Sequence, residues 1–190
     1  MRTAGMVDSI GWRHATDMGL VISESVIIGA ILSTVLTILI VASLMINKEM
    51  WLQDYPPDVK AKWGPISKKA KRQRRLFAFP LFGVMIAAMI YAVARLEVVL
   101  GAPPPFLVIF ISIVIVFLLF NLVDAIIIDW LILMVLWPGL GVLPGTEGMA
   151  GYRDARLWTI NLLKGFALAP IAGVLVAGAA SLVFAVRSQL

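Results

Sequence analysis

The sequence has no cysteine and only one histidine, His14. The absence of cysteine excludes disulfides, thiolate metal sites, thiol redox chemistry and a cysteine nucleophile. A single histidine, placed before the first apolar run, cannot build a bis-histidine haem or a histidine-rich metal centre within one chain. We therefore expect no bound cofactor, while the sequence leaves open whether carboxylates hold a metal ion.

Charged residues are also scarce. They make up 14% of the 190 residues, whereas a soluble domain typically carries about 25%. Hydrophobic residues make up 61%, and the mean hydropathy is +0.98. Four apolar runs reach or approach the roughly 18 residues that mark a transmembrane helix. We predict an all-α integral membrane protein in which residues 1–190 form a single four-helix membrane domain.

The apolar runs place the predicted transmembrane helices at about residues 19–46, 77–99, 106–137 and 157–186. A basic loop over 47–75 separates the first two helices, and a Gly/Pro-rich loop over 138–151 separates the last two. The segment GAPPP ends the second helix, because proline removes a backbone donor and restricts φ. The first run is much longer than the about 7 to 15 apolar residues of a signal peptide, so we interpret it as a retained helix.

The distribution of basic residues predicts an orientation. Nine of the sixteen lie between Lys48 and Arg75, and six of these form the run KKAKRQRR over Lys68–Arg75. Short loops rich in lysine and arginine stay on the cytoplasmic side. We predict a cytoplasmic basic loop, both termini outside, and the inner membrane of a bacterium. The same run favours contact with anionic lipids, at about 1 kcal/mol per basic residue, over nucleic-acid binding.

The segment MWLQDYPPDVKAKWGP predicts a short cytoplasmic helix at the membrane interface, over about Pro57–Trp63. Proline suits a first helical turn, and tryptophan and tyrosine settle at headgroup depth. We expect Asp54 to cap this helix and Asp58 to interact favourably with its N-terminal dipole. The alternative is a catalytic site in which these acids act with Arg153 and Arg156 on a lipid headgroup.

Small residues recur at a spacing of four in the first and fourth predicted transmembrane helices. Helices in a bilayer associate where small side chains allow their backbones to approach closely. We therefore predict two packing faces, although the hydroxyl groups of the first could instead line a polar pathway. The residues are Ser25, Gly29, Ser33 and Thr37 in the first helix, and Gly165, Ala169, Gly173, Ala177 and Ser181 in the fourth.

The third predicted helix carries polar residues inside the apolar run FNLVDAIIIDWLILMVLW, namely Asn121, Asp124 and Asp129. An isolated charge among lipid tails costs at least about 2.5 kcal/mol, so a partner is expected. Lys164 of the fourth helix lies at a comparable depth, and we predict an ion pair with Asp129. In an α-helix the two aspartates would diverge by about 140°, which argues against a shared proton unless the helix is distorted.

Other charges and motifs narrow the function. Glu24 is close enough to the outer end of its helix to reach water or to pair with Arg95. The sequence contains no phosphate-binding G-x-x-x-x-G-K-[ST] loop, no G-x-S-x-G elbow and no H-E-x-x-H pair. Nucleotide binding and the commonest hydrolytic sites are therefore not indicated.

These observations favour a non-enzymatic membrane protein. It would be a component of a membrane complex or a small transporter- or channel-like protein that associates with copies of itself or with a partner membrane subunit. Asn121, Asp124, Asp129 and Lys164 would form its polar site, for passage of an ion or small solute. Four helices enclose little space, so passage would need an oligomer. The alternatives are an enzyme acting on lipid headgroups at the cytoplasmic leaflet and a purely structural assembly subunit.

Overall fold

The computed structural model describes the backbone of residues 4–189 and the side chains of residues 18–154 and 156–189. The His14 side chain lies outside the described residues. The chain is 85% helical, and no strand occurs between residues 4 and 189. The predicted all-α class is therefore confirmed, and four helices are long and apolar enough to cross a membrane.

Five helices follow one another along the chain, and short 3₁₀ turns connect some of them. The third long helix changes geometry along its length: its first part is α-helical and its second part is π-helical. The helices are α1 (Ala4–Ile46), α2 (Pro57–Trp63), α3 (Lys68–Leu100), α4 (Phe106–Val123, continued by the π-helix Asp124–Leu136) and α5 (Ala155–Arg187). The 3₁₀ turns are Lys48–Asp54, Pro138–Leu140 and Ala150–Arg153.

Helix α3 begins at Lys68, about two turns before the start that its apolar run predicted near Phe77. The basic run is therefore the first part of a helix and not part of a loop, which corrects the predicted 47–75 boundary. The Ser67 hydroxyl caps the helix by accepting the Ala70 N–H at 3.1 Å. Lysine, arginine and glutamine are good helix formers. With Ser67 as its N-cap residue, the helix therefore extends beyond its apolar part.

Helix α4 is the central helix of the bundle. Helices α1 and α5 pack along it, while α3 packs mainly on α1. The largest core cluster contains Leu36 of α1, Ala92 of α3, Ile113 of α4 and Ala177 of α5. Helix α3 buries few of its residues, and some of its large apolar side chains, such as Phe79 and Ile90, face away from the bundle.

The small-residue stripes of α1 and α5 face α4, as predicted. A Cβ built on Gly29 would lie 3.0 Å from Leu119 Cδ2, and one built on Gly173 would lie 2.8 Å from Phe110 Cδ2. Any larger residue at these positions would push the helices apart.

The hydroxyl groups of the α1 stripe are mostly used within the bundle. The Ser25 and Ser112 hydroxyl oxygens lie 2.7 Å apart across the α1–α4 contact, and both residues are buried. The Ser33 hydroxyl donates to the Gly29 carbonyl at 2.6 Å. Thr37 differs from these serines, because its buried hydroxyl has no hydrogen-bond partner among the described residues. These contacts favour a packing face over a polar pathway.

The segments between the long helices form a compact cap at one end of the bundle. It consists of the turn Lys48–Asp54, helix α2 and residues 137–154. Helix α2 has the predicted bounds, with Pro57 in its first turn. Leu52, Tyr55, Val59 and Leu143 form a small core beneath Trp51, Trp63 and Tyr152. The segments predicted as two separate loops are therefore packed against each other.

Glu49 ties the cap to the start of α3. Its carboxylate accepts hydrogen bonds from the Ser67 backbone N–H at 2.6 Å and from the Ser67 hydroxyl at 2.7 Å. Burial opposes ionisation of this carboxyl, but the hydrogen bonds from Ser67, together with one from Trp63, lower its pKa below the usual 4.5. The cap is therefore joined to α3 by a charge-assisted contact.

We expect the substitution Glu49→Gln to lower the free energy of unfolding by about 1–2 kcal/mol at neutral pH, because the charged acceptor is lost. The folded-state pKa of Glu49 is lowered, so its stabilisation is complete above the unfolded value and disappears as the pH falls through the folded value. Unfolding in detergent, followed from neutral to acidic pH, should show wild type and variant converging in acid. A difference that does not depend on pH would contradict this account.

Candidate functional site

The π-helical part of α4 begins at Asp124, the first of the two aspartates in the apolar run. The backbone N–H of Asp124 is shared between the carbonyls of Asn121 and Phe120. At the far end, the Trp137 N–H donates to the Ile132 carbonyl at 2.7 Å, five residues earlier. Hydrogen bonds between residues i and i+5 define the π-helix, which is rare and often occurs at functional sites.

This geometry brings Asp124 and Asp129 to neighbouring positions on α4. Residues five apart in a π-helix are related as residues four apart are in an α-helix, so they share a face. The divergence of about 140° that α-helical geometry predicted is therefore wrong for this segment. The two side chains are partly buried, and their carboxyl groups lie within electrostatic range of each other.

A third carboxyl group, that of Asp54, approaches this pair from the cap. It lies within electrostatic range of both Asp124 and Asp129. The sequence predicted that Asp54 is the N-cap residue of α2. This is wrong, because Pro56 occupies the N-cap position and makes no side-chain hydrogen bond. We call Asp54, Asp124 and Asp129 the carboxylate site. Nothing in the spacing of the sequence links Asp54 to α4, because the contact depends on how the cap folds over the helix ends.

Basic residues surround Asp54. The residue as a whole is exposed, but the protein atoms around its carboxyl partly exclude water and raise the pKa of that group above the usual value, against a hydrogen bond with Gln53 and the attraction of Lys60, Arg74 and Lys164. Two of these cations also bind Gln53: the Lys60 ammonium donates to its backbone carbonyl at 3.0 Å, and Arg74 donates to its side-chain oxygen at 2.7 Å. None of Gln53, Lys60 and Arg74 was predicted as a site residue. Arg74 lies in a run of basic residues, and nothing in that run distinguishes it from its neighbours.

Lys164 does not form the predicted ion pair with Asp129. Across the described side chains, ion pairs within 4.0 Å join Glu24 to Arg95 and Glu97 to Arg187, both on the other half of the bundle. The Lys164 side chain is exposed, and its ammonium donates to the Asn161 side chain at 3.4 Å. A comparable depth along the two helices is not sufficient for an ion pair between Asp129 and Lys164. Helix α5 presents Lys164 on its exposed face, where it lies within electrostatic range of Asp54.

Of the two alternatives given for Glu24, access to water or pairing with Arg95, the structure shows the pairing. Two hydrogen bonds of 3.0 Å join the guanidinium to the two carboxylate oxygens. This bidentate geometry links α1 to α3 and adds direction to the attraction between the charges. The ion pair with Arg95 gives the Glu24 carboxylate a structural role in joining the two helices.

The Asn121 side chain forms part of the contact between α4 and α5. Its side-chain amide donates to the Leu162 carbonyl at 3.2 Å, across the helix interface. A Cβ built on Gly165 would lie 1.9 Å from Asn121 Oδ1, so the amide fills the space left by the missing side chain. Asn121 is thus close in sequence to the carboxylate site, but its amide is engaged in packing.

The catalytic arrangement considered for Asp58, Arg153 and Arg156 is not assembled. The Asp58 carboxylate accepts the backbone N–H groups of Gly151 at 3.0 Å and of Val59 at 2.9 Å. It therefore holds α2 against the Ala150–Arg153 turn. Arg153 and Arg156 are exposed, and neither forms an ion pair within 4.0 Å in the part of the chain with described side chains.

The carboxylate site differs from a preformed metal centre. Among residues 18–154 and 156–189, no group of three or more His, Asp or Glu side chains is arranged to hold a metal ion. Chemically, the site offers carboxylates that can exchange a proton or attract a hydrated cation. Comparison with protein-family models, with curated proteins and with solved structures finds no significant match.

We expect Gly165→Ala to destabilise the bundle by about 1 kcal/mol, because the new methyl group displaces the Asn121 amide from its hydrogen bond. Gly178→Ala, also on α5, is the matched control, since a Cβ there meets no atom within 4 Å. Unfolding in detergent provides the measurement.

A double-mutant cycle isolates this contact. In an Asn121→Ala background, Gly165→Ala should cost much less than it does alone, because the displaced group is already absent. Additive costs would show that Asn121 does not occupy the space beside Gly165.

Proposed function

We propose that the protein is a polytopic membrane protein in which Asp54, Asp124 and Asp129 bind and release a proton or a monovalent cation, in a small transporter- or channel-like role. The observation that supports this proposal is that the carboxyl groups of Asp124 and Asp129 in α4 lie within electrostatic range of each other and of Asp54 in the cap. None of the three has an ion pair within 4.0 Å among the described side chains. Ionisable groups within membrane segments commonly mark ion or proton routes.

The chemistry of the pair is the reason for this choice. Two like charges close together in surroundings of low dielectric repel each other, and a bound proton or cation relieves that repulsion. Asp54 is an exposed residue of the cap, and its carboxyl lies within electrostatic range of both acids of α4. Asp54 is thus suited to pass a proton or cation between water and the two acids of α4.

The four helices leave little internal space, so the route runs along the surface of one chain or between chains. We therefore include association with further copies of the chain, or with a partner membrane subunit, in the proposal. Helix α3 supports it, because its outward face carries Gly83 and Ala87 at the spacing that favours helix association.

The membrane is proposed to be the inner membrane of a bacterium, with the cap in the cytoplasm and both termini outside. Support comes from the nine basic residues between Lys48 and Arg75, which all lie in the cap or at the start of α3. A groove of about 480 Å³ beside Lys68, Lys69 and Arg72 offers a place for anionic lipid headgroups.

The enzymatic alternative is less well supported. It required Asp54 or Asp58 to face Arg153 or Arg156 across an open cleft. Instead, backbone hydrogen bonds occupy Asp58, and the cations near Asp54 are Lys60, Arg74 and Lys164.

We expect Asp124→Asn to reduce proton or cation flux in proteoliposomes to the level of protein-free vesicles, because the amide can neither exchange a proton nor attract a cation. Glu147→Gln, which neutralises an exposed carboxylate of the cap, is the control and should retain the wild-type flux. Size-exclusion chromatography of each variant shows whether it still folds.

The alternative roles give different results. Wild-type protein that catalyses no flux of protons or monovalent cations would contradict the transport role. An Asp124→Asn variant that loses its assembly, while the wild type supports no flux, would favour a purely structural subunit.

The orientation can be tested cleanly because the chain contains no cysteine. We expect a cysteine introduced by Lys62→Cys to react with an impermeant thiol reagent only from the cytoplasmic side, and one introduced by Ser188→Cys only from outside. Spheroplasts and inverted vesicles provide the two accessible faces. Labelling of both positions from the same side would contradict the proposed topology.

A further inference from the structure

Outside the two acids of α4, the structure brings together an exposed patch of mixed charge. It contains the cations Lys60 of α2, Arg74 of α3 and Lys164 of α5, and the carboxylate of Asp54. Asp54 and Lys60 lie six residues apart in the cap, whereas Arg74 and Lys164 come from two separate long helices. We call these four residues the mixed-charge patch.

Gln53 organises part of the patch. Its backbone carbonyl accepts from Lys60 at 3.0 Å, and its side-chain oxygen accepts from Arg74 at 2.7 Å. These contacts hold the two cations next to Asp54 without neutralising them. Arg74 has five N–H donors and Lys60 has three, so both keep donors for a ligand.

The opposite charges of the patch are close but are not in contact. No ion pair within 4.0 Å joins Asp54 to any cation among the described side chains. An arrangement of this kind suits a ligand that itself carries both charges, because its anionic part can face the cations while its cationic part faces the carboxylate. A ligand with a phosphate alone would be attracted by the three cations but would leave Asp54 without a partner of opposite charge.

The surroundings indicate that this ligand also has an apolar part. Ile160 and Leu168 of α5 lie one turn before and one turn after Lys164, on the same face of the helix, and they are 37% and 57% exposed. A polar patch beside exposed apolar side chains, at the ends of helices able to cross a membrane, suits a molecule with a headgroup and acyl chains.

We propose that the mixed-charge patch binds the headgroup of phosphatidylethanolamine, with the phosphate facing Lys60, Arg74 and Lys164 and the primary ammonium facing Asp54. The basic groove at Lys68, Lys69 and Arg72 provides a contrast, because no acidic residue lines it. This inference shares Asp54 with the proposed carboxylate site, but it concerns lipid bound at the surface of the protein, and its tests measure bound lipid and not ion flux.

The first test varies the lipid and leaves the wild-type protein unchanged. Delipidated protein in detergent is mixed with phosphatidylethanolamine, its N-methylated derivatives or phosphatidylglycerol, all with the same acyl chains, and bound lipid is measured by native mass spectrometry. Binding should fall as methyl groups replace the ammonium N–H donors, by about tenfold for the trimethylated lipid, because a charge-assisted hydrogen bond is lost. Equal binding of all the lipids, or tighter binding of phosphatidylglycerol, would overturn the proposal.

The second test assigns the residues. Asp54→Asn should remove the preference for phosphatidylethanolamine over the trimethylated lipid, whereas Arg74→Gln, Lys164→Gln and Lys60→Gln should weaken both lipids together. Lys62→Gln makes the same change in charge on the same short helix and should change neither. A preference that survives Asp54→Asn, or an equal loss in Lys62→Gln and Lys60→Gln, would overturn the assignment.

A competition experiment separates the lipid from its soluble headgroup. Phosphoethanolamine or inorganic phosphate, added in large molar excess, should leave the bound lipid largely in place, because neither has acyl chains to lie against α3 and α5. Displacement by either compound at concentrations comparable to the lipid would show that the patch is a site for a soluble phosphate compound, which would overturn the proposal.

Discussion

The poor solvation of a carboxylate by hydrocarbon is the constraint on which this structure depends. An ionised acid at the centre of a bilayer costs at least about 2.5 kcal/mol, and more where no water or partner reaches it. Asp124 and Asp129 share one face of α4 and have no ion pair within 4.0 Å among the described side chains, and the nearby carboxyl of Asp54 adds like charge and is not a partner for them. Under the proposed function, a bound proton or cation meets this constraint and reaches the two acids by way of Asp54 in the cap.

The change of geometry in α4 and the packing of its neighbours serve different purposes. Along its α-helical part, close contacts at Gly29 and Gly173 bring α1 and α5 against α4. Near the transition at Asp124, Asn121 binds the α5 backbone at Leu162 and fills the space beside Gly165. The contact at Asn121 thus holds α5 in place immediately before the segment in which the two aspartates become neighbours. Packing and polar chemistry occupy successive parts of the same helix.

Charges at the two ends of the bundle are arranged differently. At the end away from the cap, Glu24 with Arg95 and Glu97 with Arg187 form direct ion pairs that link neighbouring helices. At the cap end, the carboxyl groups and the surrounding cations lie near one another without such contacts. Direct ion pairs satisfy charges and hold helices together, whereas charges left apart remain able to bind something else. This contrast is the reason for assigning ion binding and lipid binding to the cap end.

Hydropathy and local propensity alone determined that the chain is helical, that four helices can cross a membrane, and that a short helix occupies Pro57–Trp63, because these properties depend on residues close together in sequence. The small-residue stripes could also be predicted from the sequence, since their spacing follows from the α-helical period. Tertiary structure decided the rest. The helix start at Lys68, the π-helical segment, the orientation of Lys164 away from an ion pair with Asp129, and the approach of Asp54 to α4 all depend on contacts between distant segments. A sequence specifies the period of a helix, but which charged side chains meet depends on the rotation of each helix about its axis and on how the cap packs over the helix ends.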